Sequence, residues 1–440
     1  RKKKKKVTML VPRRPPIRIL TVHELDQIEW ASMTHAYGSA EDVPEFIWGL
    51  LSKSRRVREE SLEGLYDAIH HQGDIYECTL TAIPFLLEFI ANPKNLDRSG
   101  VLELLSSIGG APLIGEPENT VAFDWDIADG TTTTDSTFSG SQIANADADV
   151  NSFQRKLAQD ISSVLQNAFP QLIVLLDEKD ANIRRVVPRA LLAMQANALL
   201  VVESLTRHFN LEADRDVRRN IVWAVGFLTR RHDVAVRMGR EWISTIVRTE
   251  LDPWVRLSAL SERMRLERTV LPAESVPLAS DLLAEIYADH ITSFNASKPS
   301  KRASTGKESG TSNPADAVEQ LSESMTHHIQ DRVRLLGDLL RSPSPIQQDD
   351  AINPIASLIT DWRGNYSGIV ASLGDLLVSG DVRSFENIVY LLQSVSALAA
   401  PAADGLFHSL QSARLHFHHI ESAAYEQIAH KLVVAETVLD

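Results

Sequence analysis

The sequence predicts an all-α protein, an α-solenoid of stacked helix pairs, and three observations carry that expectation. One short phrase returns three times, as DANIR at 180–184, DRDVR at 214–218 and DPWVR at 252–256. The arginine-to-arginine steps are 34 and 38 residues, the period of a helix-pair repeat. After each arginine the apolar residues keep helical spacing: Ile183, Val186, Val187, Ala190, Leu191 and Met194 in the first copy, and Val217, Ile221, Ala224, Val225 and Leu228 in the second. One such helix cannot bury its stripe alone, so each copy must stack on the next.

The phrase also says where the helices start. Asp252 followed by Pro253 places a side-chain acceptor at the N-cap and a proline at the first helical position, where its missing N–H costs nothing. Arg184, Arg218 and Arg256 then fall in the first turn, the wrong end of a helix for a cation. A compensating charge is expected from turn aspartates of adjacent repeats, such as Asp216 and Asp252, with Arg58 and Arg383 in equivalent places. Acid, then aliphatic-Arg, opening the second helix of a pair resembles the HEAT repeat. That resemblance implies a ladder of arginine–aspartate contacts between repeats.

From the N-terminus, residues 1–22 hold nine basic and no acidic side chains and read as a disordered tail. Residues 23–109 read as degenerate repeats. A helix should end at Gly38, another should open behind Ser39 and cover 41–51, and Arg58 precedes the stripe Leu62, Leu65, Ala68, Ile69. A glycine-centred turn, HHQGD at 70–74, leads to helices over 76–90 and 101–108. The phrases HAYGSAEDVP and IHHQGDIYECTLTAIPFLLEF are similar to those of an uncharacterised actinobacterial-type family of HEAT-repeat proteins. The likeness implies a fold and no established reaction.

Residues 110–150 carry Glu116, Glu118, Asp124, Asp126 and Asp129 with no basic residue and no helical period, and read as an acidic, disordered insertion. Repeats resume over 151–290, with helices at 151–168, 170–176, 198–209, 234–248 and 275–287. Residues 291–314 have the composition of a flexible linker. Residues 315–440 return to helices at 315–340, 345–362 and 367–378, and end in a polar cap.

Composition narrows the function classes. A single cysteine, Cys78, excludes an internal disulfide framework, and its apolar surroundings point to a buried, inert thiol. No run of 18 apolar residues occurs, so the expectation is a cytoplasmic protein, nuclear if the basic tail is native. The net charge is −13, yet residues 179–268 hold seventeen basic against eleven acidic side chains. No nucleotide-binding glycine loop or nucleophile elbow is present.

Histidine is the one clustered ligand type, at His327 and His328 and at His416, His418, His419 and His430. These make no convincing metal site, and His23-Glu24 is the only His-Glu pair, where the HEAT-repeat deoxyhypusine hydroxylases carry several. No cofactor, metal or catalytic residue is expected. The favoured reading is a non-catalytic scaffold whose concave helices bind a protein partner through Arg185, Arg189, Arg219, Trp223 and Arg263. Two alternatives stay open. The same arginines, with Trp223, Trp242 and Trp254, could hold nucleic acid, or an enzyme site could lie at His70, His71, Asp74 and Tyr76.

Overall fold

A computed structural model describes residues 22–110, 148–296, 313–361 and 367–379, together with Ile388 and Leu391. Residues 1–21 of the basic tail, 111–147 of the insertion expected over 110–150, 297–312 of the linker expected over 291–314, Arg383 and the histidines from His416 onward lie outside the described residues, while the ends of the insertion and the linker belong to helices. The described chain is all-α, apart from one two-residue hairpin, and it is a helical-repeat solenoid. It divides at Trp242 and Ile243 into two compact units.

The first unit opens with α1 (Val22–Leu25) and a 3-10 turn at Trp30–Ser32. The expected helix ending at Gly38 is instead the hairpin β1 (Thr34–His35) and β2 (Gly38–Ser39). Gly38 has φ 133°, a conformation that closes a turn and that side-chain-bearing residues rarely adopt. The Tyr37 N–H donates to His35 Nδ1 inside the loop. Ser39 makes no side-chain cap; a second 3-10 turn, Ala40–Asp42, comes before α2.

Helices α2 (Val43–Gly49) and α3 (Arg55–Ile69) form the first pair, and α4 (Glu77–Ala91) with α5 (Arg98–Gly110) the second. Next come α6 (Ala148–Asn167), the short α7 (Phe169–Ile173) and α8 (Ala181–Ala190), then α9 (Ala198–Phe209) and α10 (Arg215–Arg231). Packing runs in two layers. The second helices stack α3 on α5, α5 on α8 and α8 on α10, while α2, α4 and α6 line the other side. The apolar stripes read from sequence are the filling: Ile183, Val187, Ala190, Val217, Ile221 and Leu228 are all buried. Helix α11 (Asp233–Thr249) spans the division between the units.

The second unit repeats the two-layer plan. Its helices are α12 (Pro253–Leu266), α13 (Ser275–Ala296), α14 (Pro314–Ser324), α15 (Ile329–Leu340), α16 (Pro345–Asp361) and α17 (Ser367–Ser379). Helix α12 packs on α14 and α14 on α16, with α15 on α17. Two boundaries depart from expectation. Helix α13 runs nine residues beyond Tyr287, and the stretch expected as one helix over 315–340 breaks at 325–328. At the break His328 is buried, and its Nε2–H donates to the Glu267 carbonyl at 2.6 Å. That bond ties the break to Glu267, where periodicity alone runs straight through. No helix among the described residues is long and apolar enough to cross a membrane.

Candidate functional site

The repeated phrase folds into a repeated turn. Asp180, Asp214 and Asp252 all sit at N-caps, and each carboxylate accepts the backbone N–H two residues on, at 2.9 to 3.0 Å. Two residues before each aspartate stands a glutamate that sequence reasoning passed over. Glu178, Glu212 and Glu250 fold back on their own turns: Glu212 Oε1 accepts from the Ala213 and Asp214 N–H groups, and Glu250 Oε1 from Leu251 and Asp252. The spacing Glu-x-Asp, at 178/180, 212/214 and 250/252, was there to be read.

These glutamates receive the arginines. Arg184 Nε donates to Glu212 Oε2 at 2.7 Å and Nη2 to Oε1 at 3.1 Å, while Nη1 clips the Glu178 and Lys179 carbonyls of its own turn. Arg98 Nη1 reaches Glu178 one repeat earlier, at 3.0 Å. Arg58 follows the plan with Asp97 at 2.7 Å and with the Ser52 and Lys53 carbonyls. Each guanidinium thus stitches its own turn to the next one, which suits a planar five-donor head and would not suit lysine.

Glu212 is almost wholly buried. Burial acts to raise its pKa, but the Arg184 bond and charge, the Asp214 N–H and His208 outweigh it and hold it at about 2. Arg218 instead lies over the Phe209 ring, 4.3 Å from its centre. Arg256 Nε donates to the Val247 carbonyl at 2.7 Å.

The residues expected to meet a partner come together on α8 and α10, with one exception. Arg185 pairs with Asp214 at 2.9 Å and Asp216 at 3.4 Å, and Arg219 approaches Asp216 at 3.9 Å. Arg189 lies over Trp223 at 5.5 Å, Trp223 neighbours Phe227, and Arg231 lies over Phe227 at 5.4 Å. Burial lowers the pKa of Arg189 against the opposing charge of Glu103. Glu103 acts on Tyr66 as well. Arg189 (α8) and Trp223 (α10) thus meet across two neighbouring second helices, and Tyr66 on α3 and Glu103 on α5, in the same stack, are likewise not fully buried. Arg263 is the exception. It stands in the second unit, bonded to Ser275 at 3.2 Å and near Glu274 at 3.6 Å.

The histidine cluster near the N-terminus is tied inward. His70 is buried; its Nδ1–H donates to the Asp74 carbonyl at 3.2 Å, so Nε2 accepts the Ser107 hydroxyl at 2.6 Å. A serine partner 37 residues away could not be read from sequence. The pair is within the hydrogen-bond reach of a base and a nucleophile, in buried, helical surroundings. Burial lowers the His70 pKa to about 4, and Ser107 stands mid-helix in α5, where the backbone N–H groups are spent on the helix.

His71 meets the Tyr37 hydroxyl at 3.2 Å, and His35 pairs with Asp42 at 3.0 Å. Cys78 is buried, and that burial pushes its thiol up to about 12. No group of three or more metal-ligating side chains comes together among the described residues.

No protein-family model matches the chain. No curated protein matches it either.

Proposed function

We propose that the chain is a HEAT-type repeat scaffold, without catalysis of its own, that binds a protein partner across its second helices α3, α5, α8 and α10. The observation that supports this reading is the contact of Arg189 with Trp223 between α8 and α10, in a stack where Tyr66 of α3 and Glu103 of α5 also stay clear of full burial. Each of four stacked helices contributes one aromatic or charged side chain that is not fully buried. Half-buried Trp, Tyr and Arg are the residue types that anchor protein interfaces. The single buried thiol supports an intracellular setting.

Nucleic acid is the weaker reading. Arg184 and Arg185 spend their donors on Glu212, Asp214 and Asp216, and Trp254, which was to stack on bases, is 4% exposed. The carboxylates interleaved with those guanidinium groups offset part of their attraction for a phosphate backbone.

Photo-crosslinking tests the proposal. A benzophenone amino acid placed at Tyr66 or Trp223 should give the same discrete, nuclease-resistant adduct in native extract. Placed at Leu200, exposed on α9 and outside those four helices, it should not. Equal adducts from Leu200, or nuclease-sensitive ones from Trp223, would count against the reading.

A further inference from the structure

Charge changes sign near the start of the described chain. Residues 1–22 hold nine basic and no acidic side chains, whereas 23–52 contain Glu24, Asp26, Glu29, Glu41, Asp42 and Glu45 and no lysine or arginine. Inside this acidic stretch lies an open groove of about 660 Å³, a size that suits a ligand cleft. Leu25, Ile28, Trp30 and Pro44 supply its apolar floor, and Asp26, Glu29 and Glu41 stand exposed around it. The Trp30 indole N–H is already spent on the Leu25 carbonyl at 3.0 Å, so the floor is set before anything binds. Asp42 is spent on His35 and Glu24 lies half-buried. Asp26, Glu29 and Glu41, by contrast, have no side-chain partner among the described residues. No cationic side chain is among those that line the groove.

We propose that this groove takes residues 11–20 of the chain's own tail, VPRRPPIRIL. Arg13, Arg14 and Arg18 equal the rim carboxylates in number, and Ile17, Ile19 and Leu20 offer apolar surface to Ile28, Ala31 and Pro44. Pro12, Pro15 and Pro16 favour an extended polyproline conformation. Little chain entropy is then lost on docking, which is why proline-rich segments are recurrent ligands of apolar grooves. Reach is not limiting. At about 3.1 Å per residue the stretch from Arg13 to Thr21 spans roughly 28 Å, and the lining begins at Leu25, so the segment can double back over it. So short a tether holds the segment at an effective concentration on the order of millimolar, where even a weak contact forms. A second copy of the tail would enter the groove without that advantage.

Photo-crosslinking in the purified full chain tests the proposal. A benzophenone amino acid at Ile17 should give one dominant adduct, mapped by mass spectrometry to peptides within 24–32 or 41–44. In a mixture of heavy- and light-isotope protein, tail and groove should be joined within the same molecule. Raising salt from 50 to about 300 mM should lower the yield about threefold, since exposed charge pairs are screened. Asp26→Lys, Glu29→Lys and Glu41→Lys together should lower it about tenfold. The tail set Arg13→Glu, Arg14→Glu and Arg18→Glu should do the same, and it leaves every described residue unchanged. Combining the two sets should restore most of the yield, a rescue that damage to the fold cannot produce.

Adducts scattered along the chain, or confined to another helix, would overturn the proposal. Heavy–light adducts in place of internal ones would make the groove a contact between two copies and overturn docking within one chain. A yield indifferent to the tail set would overturn it too. The protein-binding reading, tested at Tyr66 and Trp223, is independent of all these outcomes.

Discussion

His70 shows how much one buried side chain can report. Folding holds it neutral with a pKa near 4, against 6.5 for an unperturbed imidazole, because burial disfavours the cation. Between those values the unfolded chain takes up a proton that the folded chain refuses, so stability rises with pH across that window. The contribution is complete above pH 6.5 and is lost as pH falls towards 4, to an extent of about 3 kcal/mol. His70→Gln removes the titration, and its cost relative to wild type should shrink steadily as pH is lowered from 7 to 4. Denaturant melts at each pH check this, and a cost constant over the whole range would exclude the mechanism. Glu212 titrates in a lower window. Its depressed pKa adds stability that is present above about 4.5 and disappears towards 2. The two groups can therefore be separated in one pH series.

At the level of elements, close helix contact is written in small residues. A methyl group added to Gly239 on α11 would run into the Thr229 hydroxyl and Cβ of α10. Thr229 is buried, and its hydroxyl already donates to the Val225 carbonyl at 2.6 Å, so it has little room to yield. Gly239→Ala should gain up to ~1 kcal/mol of helix propensity and lose about 1–3 kcal/mol to overpacking, a net destabilisation. Adding Thr229→Ala removes the obstacle, and the double variant should be no less stable than Thr229→Ala alone. A double-mutant cycle measured by thermal or denaturant unfolding decides it. Additive costs would mean the two helices do not touch there.

The same scale shows what sequence could and could not convey. The aspartate caps were legible because a cap and its N–H groups lie within three residues. The apolar stripes were legible because burial repeats with the helix. The Trp30 to Ser39 segment was misread as helical because its turn depends on Gly38 at positive φ and on a bond from Tyr37 to His35. The break at 325–328 was missed because His328 is held by Glu267, 61 residues earlier. Glu212 was missed for the same reason, its partner Arg184 lying 28 residues back in the chain. Of the predicted partner-binding residues, Arg185, Arg189, Arg219 and Trp223 lie together on α8 and α10, because repeat periodicity had already placed them on equivalent faces. Arg263 belongs to the other unit, and nothing local in the sequence marks that division.

Over the whole molecule, the turn contacts bear on how stability spreads. In a stacked array each repeat touches only its neighbours, so a lesion should act strongly nearby and fade along the chain. Arg184 offers the sharpest lesion. Removing it leaves Glu212, whose side chain is 3% exposed, without its guanidinium and releases two carbonyls at the end of the preceding turn. Breaking a buried pair from one side costs about 3–5 kcal/mol. Arg184→Ala should therefore raise amide exchange most in α8, α9 and α10, less in α5, and little in α3 or in α14 to α16. Peptide-level hydrogen exchange measures each of these helices separately. If protection falls by the same amount everywhere, the chain unfolds as one cooperative block. The turns would then be linked far more tightly than nearest-neighbour stacking allows. A second arm tests the chemistry of the joint. Arg184→Lys keeps the charge but cannot span Glu212 and two carbonyls at once, so it should reproduce most of the Ala effect. Full protection in the lysine variant would mean that charge alone holds the turn, and that the forked geometry of the guanidinium is incidental to the repeat.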